Sequence, residues 1–255
     1  MKKYILILVC SLSVNMFSQE GIKADVLSEI AKNDVSDLFT LSEFRIENSE
    51  RVVGRPEPLG YIGENFQRFY IKFLSVIQNP EKPLEYFVYG KTRVKNNICP
   101  FQGRIVIDKA IVFSGGEFPS IDNGAISGTY LFYEDSDYSG TGYFEGNFGS
   151  FFYFNKDGDI VYDALMWGID GYENNQFEGT WTSYHSGNSK KCNWGDFRIP
   201  NSRDLDSGAG EFGPSEKYSE FGWESYRLAY IYSSNYPGVE EARKKEKEKW
   251  WIDYE

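Results

Sequence analysis

The chain has 255 residues, with 38 Asp or Glu against 27 Lys or Arg, and a formal net charge of −11. This acidic balance disfavours nucleic acids and anionic membrane surfaces as partners, because both bind to cationic faces. Tyr, Phe and Trp make up 18% of the residues, which favours a β-rich fold, and the length suffices for one domain with its own core.

The first 18 residues are predicted to be a secretory signal peptide. A basic start at Lys2 and Lys3 precedes an apolar run over residues 4–14, and Ser18 offers a cleavage site before Gln19. The run is too short to span a bilayer, and no later segment is long and apolar enough to do so. We therefore expect an exported protein that is not inserted in the membrane and is periplasmic, on the outer surface or extracellular. Loss of the two lysines leaves 25 basic and 38 acidic residues, a charge of −13.

A single β-rich domain is predicted for residues 19–255. A short helix is expected over residues 24–33, where Val26, Leu27 and Ile30 recur at helical spacing. Alternating apolar residues then indicate strands from residue 66 to residue 199, with the strongest hairpin turn at residues 155–158 (Asn-Lys-Asp-Gly). From about residue 201, a loop rich in Gly, Ser and acids leads to a C-terminal helix over residues 239–251. The short connections predict an antiparallel meander of roughly eight to ten strands.

A five-residue pattern, large-x-Gly-x-large, recurs through the middle of the chain. Because residues i, i+2 and i+4 of a strand share a face, each copy places a Gly between two large side chains. On successive strands, such glycines indicate a sheet that curls strongly or closes into a β-barrel. We expect them to face inward, and we expect Gly208, in the tail, to be free of that constraint. The copies are residues 88–92, 101–105, 126–130, 144–148 and 177–181.

No catalytic or metal-binding motif is present in the sequence. His185 is the single histidine, Gly-x-Ser-x-Gly does not occur, and no Cys-x-x-Cys or His-x-x-x-His spacing suits zinc. Glu145 and Glu178 occupy equivalent places in two Phe-Glu-Gly copies, as a pair of glycosidase carboxylates would require. Their parity, however, is opposite to that of the inward-facing aromatics. We therefore expect surface carboxylates there, and no catalytic residue, metal or cofactor.

The best candidates for ligand contacts are aromatic and acidic residues near strand ends. Trp167 and Trp194 are predicted to stack on a sugar ring or to line a hydrophobic cavity. Asp170 and Glu173 join them as candidate ligand-binding residues in an oxygen-rich loop over residues 163–178. The EF-hand spacing is absent from that loop, which favours a polar loop at the mouth of a barrel over a calcium site.

Cys99 and Cys192 are the two cysteines beyond the leader. In an oxidising compartment they form a candidate disulfide, and two buried free thiols are the alternative. Both alternatives stay open, because the sequence does not show whether the two Cα atoms approach within about 7 Å.

Residues 96–99 (Asn-Asn-Ile-Cys), residues 191–196 (Lys-Cys-Asn-Trp-Gly-Asp) and the Phe-x-Gly strands resemble uncharacterised secreted proteins of Bacteroidota. This resemblance extends over most of the mature chain and implies no known activity. The coarse layout is also similar to calycin-type β-barrels such as lipocalins. A lipocalin has its Gly-x-Trp on the first strand, whereas Gly179-Thr180-Trp181 comes late here, so no functional residue is carried over.

Three functions fit these observations. We favour a non-catalytic, secreted or periplasmic β-barrel that binds a small apolar molecule or a glycan. One alternative is an envelope module for protein interaction or structure, with the charged C-terminal helix as its contact element. The other is a hydrolase that cleaves glycans with carboxylates. The interior volume separates the first two functions, because a barrel filled by side chains cannot hold a ligand.

Overall fold

The computed structural model describes residues 21–47, 49–114, 118 and 120–252. The predicted signal peptide and its cleavage site at Ser18 lie outside the described residues, so they stay predictions. Among the described residues, no helix combines the length and the apolar character that crossing a bilayer requires.

Strands dominate the described part of the chain, and the short helices lie near its two ends. The strands are β1 (Gly21–Asp25), β2 (Glu43–Arg45), β3 (Val52–Gly54), β4 (Leu59–Ile62), β5 (Gln67–Asn79), β6 (Lys82–Val94), β7 (Asn97–Ser114), β8 (Asn123–Glu134), β9 (Gly142–Phe154), β10 (Ile160–Tyr162), β11 (Asn174–Ser183) and β12 (Ser189–Asp196). The α-helices are α1 (Leu27–Ile30), α2 (Asp37–Thr40), α3 (Glu224–Tyr230) and α4 (Val239–Glu246), and 3₁₀ turns occur at Arg203–Leu205 and Glu216–Phe221.

Eight antiparallel strands pair in a closed circuit. Strands β4 to β9 pair in chain order, each with its successor. β9 then pairs with β11, β11 pairs with β12, and β12 pairs with β4, which closes the circuit. β1 adds to β7, β10 adds to β9, and β2 and β3 form a small separate sheet. Register shifts in β5 and β7 interrupt the ladders, so the ring is not a regular barrel. The predicted fold class is confirmed: an antiparallel meander that curls into a ring, with a short N-terminal helix and a C-terminal helix.

The interior of the ring is filled by aromatic side chains. Phe144, Phe148, Phe152 and Phe177 are buried together, as their shared parity predicts, and Trp181 packs against them at the margin. Neighbouring rings lie in contact, with centroids 4.9 Å apart for Phe177 and Trp194. Pairs at such distances contribute beyond their buried area. The inward face of the sheet was therefore assigned correctly.

The inward glycines mark places where strands approach too closely for a side chain. Gly146 and Gly179 lie directly opposite each other on β9 and β11. A Cβ built on Gly179 would come 2.1 Å from the backbone oxygen of Glu145, and one on Gly146 would come 2.1 Å from that of Glu178. The Tyr130 hydroxyl points into this notch, 2.4 Å from the Gly179 Cβ position. The repeated glycines thus make room for a neighbouring backbone and for a phenol.

Tyr130→Phe should leave the stability unchanged or raise it by up to about 1 kcal/mol. The Tyr130 hydroxyl is buried and has no hydrogen-bond partner among the described residues, so its removal relieves a desolvation cost and keeps the ring in place. Urea unfolding measures the difference. Tyr86→Phe is the matched control, because the Tyr86 hydroxyl accepts the Val35 N–H at 3.1 Å, and its loss should cost about 1–3 kcal/mol. Equal losses for the two variants would contradict this interpretation.

The C-terminal segment folds back onto the outside of the ring. Trp223 is fully buried and donates its indole N–H to the Phe66 carbonyl at 2.8 Å. The predicted helix over residues 239–251 ends at Glu246, and turns carry the chain on to Trp250. Trp250 is only 9% exposed and packs against Tyr70 with ring centroids 6.0 Å apart. The tail therefore covers part of the outer face of β5 and β6.

Candidate binding groove

A small cavity lies in the ring interior near α2. Its volume is about 150 Å³, and its walls include Phe39, Phe177 and Trp194. Sites for drug-sized molecules usually occupy about 300–1,000 Å³. Aromatic packing thus leaves the interior too little space for the ligand that a hollow barrel would hold.

The polar wall of this cavity is a buried ion pair whose carboxylate is fully engaged. The Asp196 carboxylate is 0% exposed and accepts two hydrogen bonds from Arg55, each of 2.9 Å. The Tyr162 hydroxyl and the Asn175 amide each add a bond of 2.9 Å. Burial and the charge of Asp196 raise the pKa of Tyr162 well above its usual value, so this phenol remains a donor at neutral pH.

Arg55 connects this network to α2. Its guanidinium also donates to the carbonyls of Phe39 and Leu41, at 3.0 and 3.2 Å. Phe39 inserts among the interior aromatics, with its ring centroid 5.6 Å from that of Phe148. Because each nitrogen of the Arg55 guanidinium and both oxygens of the Asp196 carboxylate bond to other protein groups, we interpret Arg55 and Asp196 as a structural clamp for α2.

A larger groove of about 600 Å³ lies outside the ring. Its floor is the outer face of β5 and β6, and its walls are the segment over residues 56–59, the loop over residues 167–172, the tail over residues 207–213, and the region of α3 and α4. The segment over residues 56–58 also borders the small interior cavity. The groove's aromatic residues are Tyr70, Trp167, Tyr172, Phe197, Phe212, Tyr226, Tyr230 and Trp250. In size and in aromatic content, this groove resembles ligand sites.

A second buried ion pair holds α4 over the groove floor. Arg68 on β5 donates to both carboxylate oxygens of Glu246, at 2.9 and 2.5 Å, and the two side chains are 6% and 5% exposed. Burial by itself would raise the pKa of Glu246, but the hydrogen bonds and the charge of Arg68 hold that pKa below its usual value. Glu246 is therefore ionised and fully engaged by Arg68.

Two polar atoms in the groove walls are buried without a partner among the described residues. They are Oε2 of Glu57 and Nε of Arg93. The other carboxylate oxygen of Glu57 accepts from Lys72 at 2.7 Å. The Arg93 guanidinium lies over the rings of Tyr70 and Trp250, 4.0 and 5.1 Å from their centroids. Both atoms are enclosed by protein, so a ligand in the groove would reach them only if their neighbours moved. The terminal nitrogens of Arg93 are not enclosed in this way, and no acceptor among the described residues bonds to them.

The structure separates the four predicted ligand-binding residues. Trp167 and Asp170 both line the groove, where Asp170 is exposed and Trp167 packs beneath Arg51. Trp194 is 1% exposed and lies in the core, where it borders only the small cavity. Glu173 is half-buried outside the groove; burial raises its pKa, and the charge of Arg198 opposes this rise.

The remaining candidate side chains do not form a site. Glu145 is exposed and Glu178 is partly exposed, as expected for the outer face, and Glu178 accepts a hydrogen bond from Asn201. In the described ranges, no group of three His, Cys, Asp or Glu side chains is placed to hold a metal. Cys99 and Cys192 are buried, free thiols in this structure, and burial raises the pKa of Cys99 to about 11. Such thiols are chemically unreactive at neutral pH.

Sequence reasoning missed Tyr70, Arg93, Tyr230 and Trp250 as groove residues. A signal was present in β5, where Arg68, Tyr70 and Lys72 alternate with inward Phe69 and Ile71. This alternation indicates an outer face that is aromatic and basic.

Comparisons with protein families, with curated proteins and with solved structures find no match to this chain.

Proposed function

We propose that the protein is a non-catalytic binding protein and that the outer groove is its site for a glycan. The carrying observation is the combination of a volume of about 600 Å³, an aromatic lining, and the cation of Arg93, which has only aromatic neighbours among the described residues. The interior is too full for this role, which moves the proposed site from inside the ring to its outer surface.

A saccharide suits the chemistry of the groove. Sugar rings present apolar C–H faces that pack on aromatic rings such as those of Tyr230 and Trp167. A sugar hydroxyl both donates and accepts, so hydroxyls can accept from the terminal nitrogens of Arg93. The exposed carboxylate of Asp170 adds an acceptor at the rim.

The two alternative functions have less support. A glycan hydrolase needs a carboxyl group with a raised pKa as its general acid, whereas the pKa of Glu246, the most enclosed carboxylate of the groove, is lowered. An interaction module would use α4 as its contact element. The inner face of α4 is already occupied, since Val239 and Ala242 are buried and Glu246 pairs with Arg68.

A glycan array tests the proposal. The purified protein should bind a restricted set of oligosaccharides, and Tyr230→Ala should weaken that binding about tenfold through loss of one stacking face. Tyr89→Ala is the matched control, because Tyr89 is 47% exposed and lies outside the groove, while Tyr230 is 53% exposed within it. Equal effects of the two substitutions, or no bound oligosaccharide, would count against the groove.

A further inference from the structure

We infer that the groove's ligand is an oligosaccharide that carries a single acid group, and that Arg93 binds this group. The inference rests on the proposed function and specifies its ligand. It follows from the partners of the three arginines that line the groove.

Arg93 is the arginine of this groove whose charge is left unmatched within the described ranges. Arg68 forms a two-bond ion pair with Glu246. Arg227 donates to the Pro214 carbonyl and lies 3.9 Å from Glu216. Arg93 has aromatic neighbours but no carboxylate or carbonyl partner there, and its Nε is buried and unpaired. A partly buried cation is costly to leave without a counter-charge.

The position of Arg93 is favourable for binding an acid. Contacts with Tyr70 and Trp250 hold the guanidinium plane, so little side-chain entropy is lost when a ligand arrives. A guanidinium presents its two terminal nitrogens side by side, which matches the two oxygens of a carboxylate or of a sulfate. An acid bound there would neutralise the cation.

The remaining charges of the groove limit the ligand to one acid group. Asp170, Glu211 and Glu248 line the groove together with Lys245, and the structure pairs none of these four side chains with an opposite charge among the described residues. The three carboxylates outnumber the one lysine. These carboxylates accept hydrogen bonds from neutral hydroxyls and repel further negative charge. A polyanionic chain would therefore gain binding energy from Arg93 but lose more to repulsion by the carboxylates of the groove.

An array of neutral, singly acidic and polyanionic oligosaccharides tests this inference. The acidic set includes glycans with one uronic acid, one sialic acid or one sulfate, which separates carboxylate from sulfate as the bound group. Each is matched with its neutral counterpart, and heparin-derived and polygalacturonate fragments supply the polyanions. We expect a singly acidic glycan to bind about tenfold or more tightly than its neutral counterpart. Arg93→Gln should remove this difference.

Arg104→Gln is the control, because Arg104 lies on the neighbouring strand β7, is 53% exposed, and pairs with Glu85 outside the groove. It should keep the preference for the acid. If Arg93→Gln lowers the unfolding temperature, Arg93→Lys replaces it as the test. Lysine keeps the charge but cannot donate two parallel hydrogen bonds, so this variant should retain part of the preference for the acid.

Each remaining outcome overturns a distinct statement. If the protein prefers neutral glycans, Arg93→Gln leaves this preference unchanged and Tyr230→Ala abolishes binding, the acid group of the ligand is overturned. The groove would still be the binding site. A preference for polyanions would overturn the limit to one acid group. Failure of the wild-type protein to bind any glycan would overturn both the inference and the proposed function.

Discussion

Alanine at Gly179 should destabilise the protein by about 2–3 kcal/mol, which is typical of overpacking in a core without room to relax. The added Cβ would lie 2.1 Å from the backbone oxygen of Glu145 and 2.4 Å from the Tyr130 hydroxyl. A strand backbone cannot move aside as the end of a flexible side chain can. Gly146→Ala should behave similarly, because its Cβ would meet the Glu178 backbone oxygen at 2.1 Å. The free energy of unfolding in urea measures both effects.

The control for this prediction is Gly54→Ala. No heavy atom lies within 4 Å of the Cβ position at Gly54, so alanine fits there without a clash. It should be neutral, or should stabilise the protein by about 0.4–1 kcal/mol because alanine lowers the conformational entropy of the unfolded chain. Gly208, which we expected from the sequence to be unconstrained, is not a suitable control. A Cβ there would lie 1.9 Å from the Glu211 backbone oxygen, so the expectation was wrong. Gly187 is unsuitable for another reason, its φ of +67°. Neutral results at both Gly146 and Gly179 would contradict the role given to the repeated glycines.

The ring could be predicted from the sequence because its signals are local. Side-chain parity within one strand requires no knowledge of the partner strand, and the inward positions of Phe144, Phe148 and Phe177 follow from parity alone. Parity says less about β12, because Cys192 and Trp194 share their face with the charged Asp196, and Asn193 on the other face is buried as well. The candidacy of Trp194 for an exposed site rested instead on its position near the end of a strand.

The groove could not be predicted in the same way, because contacts between distant parts of the chain create it. Arg93 lies 157 residues before Trp250, and its outward position on β6 does not show that a tryptophan from the tail will cover it. The loop with Trp167 and Asp170 was identified, and a second loop was predicted from about residue 201. These two segments meet where the Gly171 N–H donates to the Gly210 carbonyl at 2.8 Å, and the pairing of Arg68 with Glu246, 178 residues apart, holds α4 beside them.

Arg55→Met should cost about 3–5 kcal/mol, the loss expected when one partner of a buried ion pair is removed. The Arg55 and Asp196 side chains are 8% and 0% exposed. Without Arg55, the Asp196 carboxylate would keep its hydrogen bonds from Tyr162 and Asn175 but would lose its only ion-pair partner in the described part of the chain. The carbonyls of Phe39 and Leu41 would also lose their donor, so α2 should detach from the ring more readily. Urea unfolding measures the total loss.

Arg45→Met is the matched control, since Arg45 pairs with Glu50 at 3.5 Å on the surface and both side chains are well exposed. Such a pair contributes about 0–1 kcal/mol, so the control should lose little. A double variant, Arg55→Met with Asp196→Leu, completes the test, because it removes the charge that the single variant leaves buried. The double variant should be more stable than Arg55→Met alone, since replacing a whole buried pair by apolar groups avoids the uncompensated charge. If the double variant is less stable by the sum of two single losses, the two side chains act independently and the clamp interpretation is wrong.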